Sequence, residues 1–248
     1  MPTVYETGHA KNLANFETLI TYVKGYGANY NPSNVAIQLV SLQNQANEAR
    51  TALDQVNNLQ AAYSNAVADR TVAFDPLKKL STRLVNALKA TGATKAIIES
   101  AETNNRKLQG SRASAKLSEE EKQSLLAAGK TVNQISTSQM SFDSKLDSFD
   151  KQIKLLQSIP AYSPNETELQ ISTLIGLYDE LLKKNRAVTE AESAISTGRI
   201  ARDKIFYNNE TGMGAIATDV KNYVKSVYGA GAAAFKQISG LQFRTIKR

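Results

Sequence analysis

One histidine, His9, and no cysteine set the limits of the chemistry this sequence can offer. A nucleophile relay needs a base with partners, and a His/Cys metal site needs several such ligands; the chain supplies a single imidazole. Glu119, Glu120 and Glu121 could be grouped as a metal cluster. They follow Ser118, however, and Ser-x-x-Glu opening a helix is a capping box, with carboxylates favoured by the positive end of the helix dipole. No carboxylate pair is flanked by the pocket-forming aromatics of a glycosidase site. Gly212-Met213-Gly214 lacks the preceding strand that a dinucleotide fingerprint requires. Asn165-Glu-Thr and Asn209-Glu-Thr match the glycosylation pattern but follow no signal segment, so they read as coincidence. The expectation is a protein with no catalytic, cofactor-binding or metal-binding residues, and not an enzyme.

Charge is the one uneven feature. Nine basic residues face two acidic ones between Pro76 and Lys116, and six face one between Gly212 and Arg248. Together these stretches exceed the +7 of the whole chain, so the remainder is net acidic. Lys79, Arg83 and Lys89 fall off the Leu77/Leu80/Leu84/Leu88 stripe and can face outward together; Lys221 and Lys225 are four apart and share a helix face. These five define a basic contact surface, suited to a polyanion or an acidic partner. The plainer alternative is a solvated lysine face.

The elements that must carry these residues are long helices. Val35, Leu39, Leu42, Ala46, Ala49, Leu53, Val56, Gln60, Tyr63 and Val67 recur at steps of four and three, a heptad-like seam within Asn34–Phe74. The same reading returns 132 positions on, over Glu166–Phe206, with Tyr30/Tyr162, Pro32/Pro164, Leu42/Leu174, Val56/Val188, Arg70/Arg202 and Phe74/Phe206 aligned. Asn31 with Pro32 reads as the start of the first copy, and Ser163 with Glu166 as a capping box for the second. A helix over His9–Gly25 aligns with a later one at Phe16/Phe149 and Ile20/Ile153. That later helix is expected to run from Ser118 to Ser158. A third helix from Leu77 is expected to break or kink at Gly92 and continue over Ala96–Leu108, and it aligns with one expected to break or kink at Gly229 and continue over Ala232–Phe243. Gly229-Ala-Gly-Ala-Ala-Ala is expected to pack closely against a neighbouring backbone; the other reading is a segment that rearranges at a membrane.

The fold class expected is therefore all-α, an elongated helical bundle made by tandem duplication of a three-helix unit. Residues 1–110 form the first repeat and 111–248 the second, with a short linker over Gln109–Leu117. In outline the up-down-up units resemble spectrin-type three-helix repeats. Tyr-Asn-Pro-Ser at Tyr30–Ser33 and Asn-Arg-Lys-Leu-Gln-Gly at Asn105–Gly110 resemble an uncharacterised family of internally duplicated all-helical bacterial proteins. The resemblance implies the fold and no activity.

Over-long helices, a surface rich in Asn and Gln, and missing catalytic residue types point to a structural or interaction protein: a scaffold, spacer or self-assembling subunit. A polyanion- or nucleic-acid-binding protein using the basic helices is the alternative, and a membrane-active helical protein a weaker one. No stretch reaches the roughly 18 apolar residues that span a bilayer, so no stable transmembrane segment and a cytoplasmic location are expected. Self-association or a protein partner is expected; cofactors are not.

Overall fold

The computed structural model describes residues 8–111, 118–129 and 140–244. Helix makes up 79% of it, with no strand among the described residues, so the all-α expectation holds. In chain order the helices are α1 (His9–Gly25), α2 (Leu39–Phe74), α3 (Leu77–Lys89), α4 (Lys95–Gln109), α5 (Glu119–Ala127), α6 (Phe142–Gln157), α7 (Ile171–Tyr207), α8 (Met213–Tyr228) and α9 (Ala233–Ser239).

Both long helices start later than their local sequence suggests. Asn34, not Asn31, acts as a cap, accepting from the Ala36 N–H at 3.0 Å, and it opens only a 3-10 turn over Val35–Ile37. Gln38 is then extended and α2 begins at Leu39. The cause lies upstream: the Tyr30 hydroxyl donates to the Ile37 carbonyl at 2.6 Å and pins the chain one turn before the helix. Val35 consequently leaves the seam and stands 67% exposed. Tyr162 repeats the device on the Leu169 carbonyl at 3.0 Å, after a 3-10 turn over Thr167–Leu169 that carries no side-chain cap. The expected capping box of Ser163 and Glu166 is therefore absent, and α7 begins at Ile171.

Two other boundaries differ, while the break expected at each third-helix glycine is present. The helix expected over 118–158 is two: the Ser118/Glu121 capping box opens α5, Gly129 at φ 71 follows it, and the Ser141 hydroxyl caps a fresh start for α6. Residues 130–139, and 112–117 of the expected linker, lie outside the described residues, as do residues 1–7 and 245–248. At Gly92 and Gly229, with φ of 75 and 87, the third helices break outright, since only glycine adopts these left-handed conformations without strain. A side chain added at Gly229 or Gly231 would meet nothing within 4 Å, so these glycines make a turn, and the expected close packing is not there. Finally, α9 stops at Ser239. Leu241–Arg244 run unwound because side chains claim their carbonyls: Asn15 donates to Gln242 at 2.7 Å, Asn12 to Arg244 at 3.0 Å, and Lys221 to Leu241.

The chain forms two compact units. One comprises Met1–Ser64 with Ala191–Arg248, the other Asn65–Glu190. Phe16, Leu19, Leu42, Phe206, Met213, Val220, Val224 and Ile238 centre the core of the first, drawn from α1, α8, α9 and parts of α2 and α7. Leu84, Leu88, Leu108, Phe149, Leu156, Leu174 and Leu181 centre the second, drawn from α3, α4, α6 and the other parts of α2 and α7. The units are bounded at other residues than the expected 1–110 and 111–248: α1 groups with α8 and α9, and α6 groups with α3 and α4. Asn105–Gly110, singled out above, serves α4 packing. Ser81 donates to Asn105 at 2.7 Å, Gln109 donates to the Lys78 carbonyl at 2.6 Å, and Leu108 is 1% exposed.

Candidate functional site

The five basic residues of the expected contact surface divide between the units: Lys79, Arg83 and Lys89 belong to the second, Lys221 and Lys225 to the first. Most are engaged within the molecule. Arg83 pairs with Glu168, beside the start of α7. Lys89 reaches Glu102 at 2.8 Å and ties α3 to α4; its hydrogen bond and charge hold the Glu102 carboxyl below its usual range. Lys221 holds the C-terminal segment through the Leu241 carbonyl, 5.6 Å from the Phe243 ring centre, and burial lowers its proton affinity. Lys225 sits 5.9 Å from the Phe235 ring centre. Lys79 and Lys225 are exposed with no ion pair among the described residues. The exposed pairs among these contribute little to stability, because water and salt screen them. They do lower the number of cations available to an outside partner.

His9 opens α1 in the first unit, with Nε2 3.2 Å from Asp203 Oδ1. Its ring meets Phe206 edge to face at 5.3 Å and Tyr207 at 5.3 Å. Arg202 donates to the same carboxylate oxygen at 2.7 Å. Burial, and then the Arg202 charge, push the His9 pKa down; the Asp203 hydrogen bond and charge oppose them. An imidazole oriented by a carboxylate is half of a general-base relay. The other half is missing among the described residues, since no hydroxyl, thiol or amine is hydrogen-bonded to the ring.

The acidic run at Glu119–Glu121 begins α5, and the Glu121 carboxylate accepts from the Ser118 N–H at 2.7 Å as its half of the capping box. Among the described residues no group of three His, Asp or Glu side chains is placed to hold a metal ion. Nor is any described helix long and apolar enough to cross a membrane.

Sequence reasoning missed a second cluster, in the second unit, where the end of α2 meets the starts of α3 and α6. Phe74 and Phe142 meet edge to face at 4.9 Å, and the Arg70 guanidinium lies 4.0 Å from the Phe142 ring centre. Arg70 donates to Asn185 at 3.0 Å, and Asn185 donates to Asp143 at 2.7 Å. Lys145 approaches the same ring to 4.9 Å. The available signal was the paired Arg70/Arg202 and Phe74/Phe206 in the repeat; nothing in the sequence said that Phe142 would join them. No protein-family model, curated protein or solved structure matches this chain.

Proposed function

We propose that the chain is a non-enzymatic structural or interaction protein, an elongated bundle that arose by tandem duplication of a three-helix unit and acts as a scaffold, spacer or self-assembling subunit in the cytoplasm. The observation carrying this reading is the pair of helices of 36 and 37 residues, each contributing to both compact units. At 1.5 Å per residue each is roughly 54 Å long, more than burying one small core requires. The two tyrosine latches, seven residues apart from their carbonyls in both cases, support the duplication. The test is light scattering across concentration and salt, with electron microscopy of the same samples. Concentration-dependent assembly into rods, rings or filaments is the expected result; a monomer under every condition overturns self-assembly.

A polyanion-binding role is the second reading, favoured by the basic excess of residues 76–116. Retention on immobilised DNA that falls steeply with salt would select it, because each neutralised phosphate releases counterions.

A further inference from the structure

In the second unit, the end of α2, the start of α3, the end of α4 and the start of α6 line a partly open cavity of about 230 Å³. Half of its lining is apolar, with Phe74, Leu77 and Leu108 buried and Phe142 standing against Phe74; Thr71, Asp75, Lys78 and Lys145 make the polar half. Two ammonium groups border it, Lys78 and the half-buried Lys145, and neither has a carboxylate partner among the described residues. Asp75 also borders the cavity; it is exposed, as Lys78 is, and it pairs with neither lysine, so the half-buried Lys145 is the least screened charge there. Burial first, and then the positive charge of Lys78, lower the proton affinity of Lys145. The Arg70 guanidinium over Phe142 adds a third cation to this neighbourhood.

The corresponding place in the first unit is occupied by the chain itself. At the repeat offsets, Phe74, Leu77, Lys78, Phe142 and Lys145 correspond to Phe206, Met213, Gly214, His9 and Asn12. There the C-terminal segment lies on Asn12, which accepts from the Arg244 N–H and donates to the Arg244 carbonyl, both at 3.0 Å. Phe243 lies 3.9 Å from where a β-carbon on Gly214 would stand. An amide, with one acceptor and donors beside it, matches a peptide unit. An ammonium group offers donors only and matches an anion. Between the two units, therefore, Asn12 becomes Lys145, and Gly214 becomes a second lysine.

We propose that this cavity binds a small monocarboxylate with an apolar body. The carboxylate lies between Lys145 and Lys78, and the body lies against Phe74, Phe142 and Leu108. The comparison of the units rests on the duplication proposed above, while the cavity and its lysines stand without it.

Phenylacetate and its neutral isostere phenylacetamide, titrated into the full-length protein by calorimetry and by NMR, test this directly. Phenylacetate is expected to bind saturably and the amide about tenfold more weakly or worse, since the charge-assisted bonds are lost. Lys145→Asn, which restores the residue of the first unit, is expected to weaken phenylacetate about tenfold, and Lys145→Arg to keep it within about threefold. Retained binding in Lys145→Arg assigns the loss in Lys145→Asn to the missing positive charge, and an NMR spectrum of Lys145→Asn that keeps the wild-type dispersion shows that its fold is intact. Absence of saturable phenylacetate binding, equal affinity for the amide, or an unchanged Lys145→Asn variant would each overturn the proposal. None of these outcomes depends on whether the protein assembles.

Discussion

Among the described residues, Gln152 has both ends of its side-chain amide buried without a partner. It lies on α6 with no exposed surface. A buried polar group without a hydrogen bond costs about 1–3 kcal/mol. Its counterpart at the repeat offset is Leu19, equally buried in an apolar core. Gln152→Leu is therefore expected to stabilise the second unit by about 1–3 kcal/mol, read as a higher urea midpoint at unchanged slope. A lower midpoint would mean that the amide has a role that its surroundings do not reveal. His9 makes the opposite comparison, since the sequence offset aligns it with Phe142. Because its folded pKa lies below the ordinary 6.5, the unfolded chain takes up the proton more readily than the folded one. Its contribution is full above pH 6.5 and declines as pH falls below that value. The charged groups facing it are Arg202 and Asp203, and the Asp203 pKa is itself lowered from 3.8, so its own titration lies well below this window. Melting temperature is expected to fall between pH 7 and pH 5 in wild type and to flatten in His9→Phe. A His9→Phe chain with the same slope would place the titrating group elsewhere.

At the scale of elements, Leu42 on α2 and Leu174 on α7 are fully buried, each in a different unit. Truncating either to alanine is expected to cost about 2–4 kcal/mol through the cavity left behind. A loss in one and not the other, measured by denaturant unfolding, would show that the two seams are not energetically alike. Those seams were legible in the sequence because four-and-three spacing is fixed by helix geometry wherever a helix packs. The α1 boundaries were legible for the same reason, with Gly25 ending a stripe of Leu13, Phe16, Ile20 and Val23. What failed was every boundary set from outside the local segment. Asn31 looks like a cap until the Tyr30 hydroxyl takes the Ile37 carbonyl seven residues on. Ala232–Phe243 looks helical until Asn12 and Asn15, more than 220 residues away, claim the carbonyls of its last turn. The basic surface was legible as charge but not as partnership: Glu168 and Glu102 sit far from Arg83 and Lys89 in sequence, and only the fold brings them together. The cavity beside Lys145 draws on four separate helices, and spacing within one helix carries no sign of it.

For the whole molecule, the division of the chain matters more than its length. Asn65–Glu190 is one uninterrupted stretch, whereas the other unit needs Met1–Ser64 and Ala191–Arg248 together. Closing the intervening loop costs chain entropy before any contact between those ends repays it, and nonlocal pairing slows folding. Two kinetic phases are therefore expected on dilution from denaturant, with amides of α3, α4 and α6 protected against hydrogen exchange before those of α1 and α8. Simultaneous protection would mean that the two cores nucleate as one. On the ribosome the same arrangement fixes a calendar. The inner block can settle as soon as it emerges, while α1, made first, must wait for α8 and for the closing turns of the chain before its apolar face finds cover. Throughout that interval Phe16, Leu19 and Val23 are open to chaperones, and a stop codon placed between the inner block and α8 would leave them so for good.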